Sequence, residues 1–92
     1  MTETGLQRPQ LATGVRLRWD AVRERRVLLF PEGAVNLNTT AADVLELCTG
    51  ERTLDEIVAE LSARYSGADV RTDVEDLLAA ISSRGLVVDA DA

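Results

Sequence analysis

Between residues 15 and 20 the chain alternates strictly: Val15, Leu17 and Trp19 are apolar, while Arg16, Arg18 and Asp20 are polar. A period of two sends the two sets to opposite faces, so the spacing predicts a half-buried strand. AVRERR (21–26) is a polar connection, and VLLF (27–30) predicts a second strand, apolar on both sides. Phe30-Pro31-Glu32-Gly33 reads as a turn, because proline presets φ at the first central position and glycine can follow in the left-handed region. A type I hairpin with a glycine bulge is the expected form. AVNLN (34–38) alternates again, with Val35 and Leu37 inward and Ala34, Asn36 and Asn38 outward.

Beyond Asn38 the period changes from two to about 3.6. Asn38 or Thr40 can cap a first helix over AADVLELCTG, with Val44, Leu45 and Cys48 as its apolar stripe and Gly50 placed to end it. Thr53 and Glu56 make a capping box for a second helix, LDEIVAELSARY. Its stripe is Leu54, Ile57, Val58, Leu61 and Tyr65, and Gly67 closes it. A third helix opens at Asp69 or Thr72, buries Val70, Val74, Leu77, Leu78 and Ile81, and ends at Gly85. LVV (86–88) reads as a last short strand or a docked tail.

Three strands followed by three helices make an α+β fold, since the helices come after an antiparallel sheet instead of alternating with its strands. The second and third helices, joined by a short glycine-containing turn, look like a helix-turn-helix pair. The expected architecture is therefore winged-helix-like, a three-stranded antiparallel sheet followed by three helices. Residues 1–12 lack periodicity and read as a flexible lead-in, 13–88 as one domain and 89–92 as a tail. Ninety-two residues with 46% apolar content suffice for one packed core but not two. There is no run of about 18 apolar residues to span a membrane, and the N-terminus lacks a basic segment followed by an apolar one, so no signal peptide is expected. The single cysteine, Cys48, cannot form an internal disulfide, which suits a reducing cytoplasm.

Composition removes most catalytic chemistry. The chain has no histidine, the commonest general base and metal ligand. Cys48 lies on an apolar stripe with nothing to activate it and reads as a core residue. One cysteine and no histidine cannot supply a structural zinc site. The acids Asp55 and Glu56, and Asp73, Glu75 and Asp76, fall in first turns of helices, where the dipole favours them. No enzymatic activity, metal or cofactor is expected.

Charge weighs against nucleic acid. The net charge is −6, and the third-helix region carries Asp69, Asp73, Glu75 and Asp76 against Arg71 and Arg84, so it would meet phosphates with the wrong sign. The distribution is uneven: residues 1–30 hold six arginines against three acids, and residues 31–92 hold thirteen acids against four arginines. A basic sheet end and an acidic helical part can thus meet differently charged partners.

Protein binding remains. Three strands in order leave an unpaired sheet edge, and Ala34, Val35, Asn36, Leu37 and Asn38 are candidates for it. An extended peptide can pair with such an edge while its alternate side chains enter pockets. A helix beside the edge would wall the groove. On the third helix a stripe of Arg71, Val74, Glu75, Leu78 and Ser82 mixes apolar and charged residues, with Leu78 as its best anchor. The other reading is that Val74 and Leu78 complete the core.

The segment VLLFPEGAVNLNTTAADVLELCTGERTLDEIVAEL resembles the PqqD family of pyrroloquinoline quinone biosynthesis. The matching pattern is an apolar strand, Pro-Glu-Gly, a strand ending Leu-Asn, a helix with Leu-Cys-x-Gly, and then Ile…Leu. LATGVRLRWD upstream and YSGADVRTDVEDLLAAISSRGLV downstream agree, so the likeness spans about residues 8–88. It implies a non-catalytic peptide chaperone, a recognition element that binds a ribosomally made precursor peptide and presents it to a radical-SAM enzyme. It further implies that the peptide adds beside the strand at 34–38, against the helix at about 70–84. Related domains serve other modified peptides, and the helix-turn-helix likeness leaves a nucleic-acid binder as the rival reading. A second surface must meet the enzyme: the basic patch of Arg16, Arg18, Arg23, Arg25 and Arg26, or the acidic start of the second helix. The open edge also permits a homodimer.

Overall fold

A computed structural model describes residues 6–91. In chain order the elements are β1 (Pro9–Leu11), β2 (Arg16–Asp20), β3 (Arg25–Phe30), β4 (Gly33–Asn36), α1 (Thr39–Glu46), α2 (Leu54–Arg64), α3 (Arg71–Ser83) and β5 (Val87–Asp89). The α+β expectation holds, with three helices and an antiparallel sheet in the order β2-β3-β4. The strand expected over 34–38 is shorter, because Asn38 leaves the sheet to cap α1 and accepts a hydrogen bond from the Ala41 N–H at 2.8 Å. The capping box of α2 is present, with the Thr53 N–H donating to Glu56 and the Glu56 N–H donating to Thr53 Oγ1. The N-cap of α3 is Val70, not Asp69 or Thr72, and it makes no side-chain capping bond.

A second, two-stranded sheet joins the chain's ends. β1 pairs antiparallel with β5, matching Pro9 with Asp89 and Leu11 with Val87. The lead-in expected over 1–12 therefore includes a strand at 9–11, and β5 takes Val87 and Val88 of LVV together with Asp89, the first residue of the expected tail; residues 1–5 and 92 lie outside the described part. Gly50 serves this sheet rather than ending α1. Its φ is +84°, its N–H donates to the Pro9 carbonyl, and a Cβ there would stand 2.8 Å from the Gln10 Oε1.

The β3–β4 turn also differs from expectation. Phe30 pairs directly with Gly33, leaving a two-residue loop of Pro31 and Glu32, and Gly33 is not among the positive-φ glycines. Glycine here occupies the last position of the turn, where no left-handed conformation is required.

α1 is the central helix, packing on β2 and β3 as well as on α2 and α3. Leu28, Leu45, Ile57, Leu61 and Leu78 are the largest fully buried side chains and come from β3 and all three helices. Trp19, expected inward, is 63% exposed although it shares a face with Leu17 and Leu28. Its cross-strand partner Arg26 does not extend the core there, but turns to carboxylates of α1.

That turn creates the main polar tie between layers. Arg26 pairs with Asp43 at 2.7 Å and with Glu46, while the Tyr65 hydroxyl donates to Asp43 at 2.5 Å. Burial raises the Asp43 carboxyl, but the Tyr65 hydroxyl and the Arg26 guanidinium outweigh it and hold the group below its ordinary value. A depressed carboxyl contributes stability above its unfolded pKa and loses it as pH falls through the folded value. Tyr65→Phe should lower urea stability by about 1 kcal/mol at pH 7. It should also shrink the loss between pH 7 and pH 3, because Asp43 then titrates closer to its unfolded value. Equal losses at both pH values would show that the hydroxyl does not support the carboxylate.

Candidate functional site

β4 is an edge strand, with β3 on one side only. The Leu37 N–H donates to the Arg26 carbonyl at 3.1 Å. Antiparallel ladders alternate, so Gly33, Val35 and Leu37 direct their backbone groups toward β3. Ala34 and Asn36 direct their N–H and C=O groups out to the open edge. Their side chains are small or polar and exposed, whereas Leu37 is buried and Val35, opposite the core residue Leu28, is half-buried. The strand is pinned on one side and open on the other.

α3 runs beside this edge in the opposite direction. Near the start of β4, the Arg84 guanidinium lies 5.3 Å over the Phe30 ring, and Phe30 is the partner of Gly33. Past the end of β4, Asp73 and Leu77 of α3 line a cleft of about 290 Å³ with Asn38, Thr40, Ala41 and Val44. Ala41 and Leu77 in this cleft are half-buried, as are Phe30 and Val35 of the neighbouring strands, and all four pack against the core. A larger cleft of about 490 Å³ at the sheet's end is lined by Glu24, Arg25, Asn36, Leu37, Asn38 and Thr39, and its walls are mostly polar.

The groove-facing flank of α3 differs from the expected one. Val74 is 1% exposed and Leu78 is 0%, so both complete the core and neither offers a surface. Arg71 turns toward α2, pairing with Asp55 at 2.8 Å, and reaches back to Glu75 at 3.8 Å. Arg71, Glu75 and Ser82 therefore lie on the α2 side of the core stripe, away from β4. The flank beside β4 carries Asp73, Leu77 and Arg84. The helical period reveals an apolar stripe but not which of its two borders meets the sheet edge. The sequence pattern puts Leu77 with the core residues, and its position at the border of a wide apolar arc is the signal that it can face the cleft.

Little in the structure resembles a reaction centre. Cys48 is buried, its thiol is pushed up to about 12 by that burial, and its Sγ donates to the Val44 carbonyl. Among the described residues no group of three or more potential ligands is placed to hold a metal ion. No described helix is long and apolar enough to cross a membrane.

Known proteins are similar to this chain in sequence and in shape. The family described as Coenzyme PQQ synthesis protein D (PqqD) matches residues 25–87. A PqqA binding protein from Methylococcus capsulatus is 36% identical over 78 residues, which cover 85% of this chain and 84% of the relative. Another, from Azotobacter vinelandii, is 38% identical over 89 residues, or 95% of this chain and 97% of the relative. In shape, the chain is similar to the solution NMR structure of the PqqD truncation of Methylobacterium extorquens PqqCD, described as a stand-alone recognition element for ribosomally synthesized and post-translationally modified peptides. The TM-score is 0.77 at 32% identity, covering 96% of this chain and 99% of that one.

Proposed function

The chain belongs to the PqqD family, and from that premise we propose that it binds the precursor peptide PqqA as an added strand on β4 and presents it to a radical-SAM enzyme. It acts as a carrier, without catalytic groups or a cofactor of its own. The observation that carries this reading is the outward backbone of Ala34 and Asn36 on an edge strand, past whose end lies the cleft lined by Leu77, Ala41 and Val44.

Energetics explain why both parts are needed. Two N–H and two C=O groups make four hydrogen bonds, roughly 2–6 kcal/mol in all. Ordering a disordered peptide costs about 2–5 kcal/mol or more, so strand pairing alone roughly breaks even. Useful affinity then requires one or two buried apolar anchors at about 1.5–3 kcal/mol each. The cleft between Leu77, Ala41 and Val44 is where such an anchor fits. A strand added to β4 sends alternate side chains toward the helices, and these are the ones that reach it.

Titration of the chain with labelled PqqA peptide tests the assignment. Leu77→Asp should weaken binding roughly tenfold or more, the equivalent of one lost anchor, with the circular dichroism spectrum unchanged. Undiminished affinity in a folded Leu77→Asp protein would remove the cleft from the site.

A further inference from the structure

The helical side of the β2-β3-β4 sheet is covered by the helices, whereas on its other face Val27 is the one strand residue that is buried, between Arg18 and Asn36. In register, Arg16, Leu29 and Ala34 lie in one row, Arg18, Val27 and Asn36 in the next, and Asp20 with Arg25 in the third. This is the face away from Leu28, which is fully buried on the helical side. Among the described residues, Arg16, Arg18 and Arg25 form no ion pair. Asp20 is the only acid in these rows, and Arg23 reaches in from the adjoining turn to the Asn36 side chain. Leu29 is 36% exposed amid these charges. A chain of net charge −6 thus concentrates unpaired guanidinium groups around an apolar residue on one flat face. Arg26, which the sequence grouped with this patch, faces the other way and is neutralised by Asp43 and Glu46.

We propose that this outer sheet face is the docking surface for an acidic face of the peptide-modifying enzyme; the proposal rests on the carrier reading above. The occupant follows from charge: arginine rows attract carboxylates and steer their approach, and arginine around an apolar centre is the composition of a protein interface. A nucleic acid fits less well, because no described aromatic lies in the three rows and the remainder of the chain repels a polyanion. Geometry also connects the two sites. A peptide strand added to β4 extends the sheet sideways, so the side chains that do not enter the cleft project from the same face as Arg16 and Arg18. An enzyme seated there meets half of the peptide's side chains directly, while the carrier holds the other half. Ala34 and Asn36, small and exposed, leave that approach clear.

The test measures two affinities on one variant, Arg16→Glu/Arg18→Glu/Arg25→Glu, using the purified radical-SAM enzyme and the PqqA peptide. Enzyme affinity should fall at least about tenfold, with the wild-type interaction weakening as salt rises, and peptide affinity should stay within about twofold. If the variant does not fold, Arg16→Gln/Arg18→Gln/Arg25→Gln replaces it and should weaken the enzyme several-fold with a shallower salt dependence. Unchanged enzyme affinity in a folded variant that still binds peptide overturns the docking surface. Tight binding of wild type to duplex RNA or DNA at moderate salt, lost in the variant, overturns it in favour of a polyanion. A wild-type chain that fails to bind PqqA at all would instead sink the carrier reading.

Discussion

Asn36→Pro is expected to weaken PqqA binding on the order of a hundredfold while leaving the fold in place. The Asn36 N–H points out of the sheet, so proline removes a donor that β3 does not use and that an added peptide strand would. The loss is about 1 kcal/mol for the bond and a further 1–3 kcal/mol for the peptide carbonyl left unpaired. The side chain contributes little to the fold, since its contact with Arg23 is exposed and 3.3 Å long. Val35→Pro is the contrasting case. Its N–H faces Leu28 in the ladder, so proline there breaks the sheet itself and should cost on the order of 3 kcal/mol of stability. Affinity and thermal unfolding, measured on both variants, separate the two effects. Binding lost equally in both, or retained in folded Asn36→Pro, would argue against strand addition.

Leu78→Ala should be the most damaging single truncation on α3, costing about 2–5 kcal/mol. Leu78 is fully buried in the same core cluster as Leu28, Leu45 and Leu61, and truncating it leaves a cavity there. For a domain of this size each kcal/mol moves the midpoint of thermal unfolding by about 4–8 °C, so a drop of at least about 8 °C is expected. Glu75→Ala and Ser82→Ala, on the same helix but outside the core stripe, should change it little. A Leu78→Ala protein of normal stability but impaired peptide binding would return Leu78 to the groove.

That contrast marks where the sequence is legible and where it is not. The switch from period two at AVNLN to period 3.6 at AADVLEL marks the passage from β4 to α1, although not their exact ends, because both periods follow from local backbone geometry. The Thr53–Glu56 box is equally local and stands as read. β1 escapes a local reading: Pro9 pairs with Asp89, and nothing near Pro-Gln-Leu announces a partner at the far end of the chain. The edge character of β4 was visible as an unpaired third strand. Which groups it leaves open required the Leu37–Arg26 hydrogen bond to set the phase. On α3 the core stripe is plain, but the sequence leaves Val74 and Leu78 open between core and groove, since periodicity cannot tell a core position from one facing a groove. The resemblance to the PqqD family carries the proposed function because the proposed site is a backbone edge, which has no residue signature of its own.

The most direct measurement is amide exchange and chemical shift on isotope-labelled chain saturated with PqqA peptide. The account predicts that the amides of Ala34 and Asn36 shift and become protected from exchange, with Leu77 shifting beside them and the Arg16–Asp20 strand unaffected. Perturbation confined to Arg71, Glu75 and Ser82, or to the β2 edge, with Ala34 and Asn36 still exchanging freely, would contradict it.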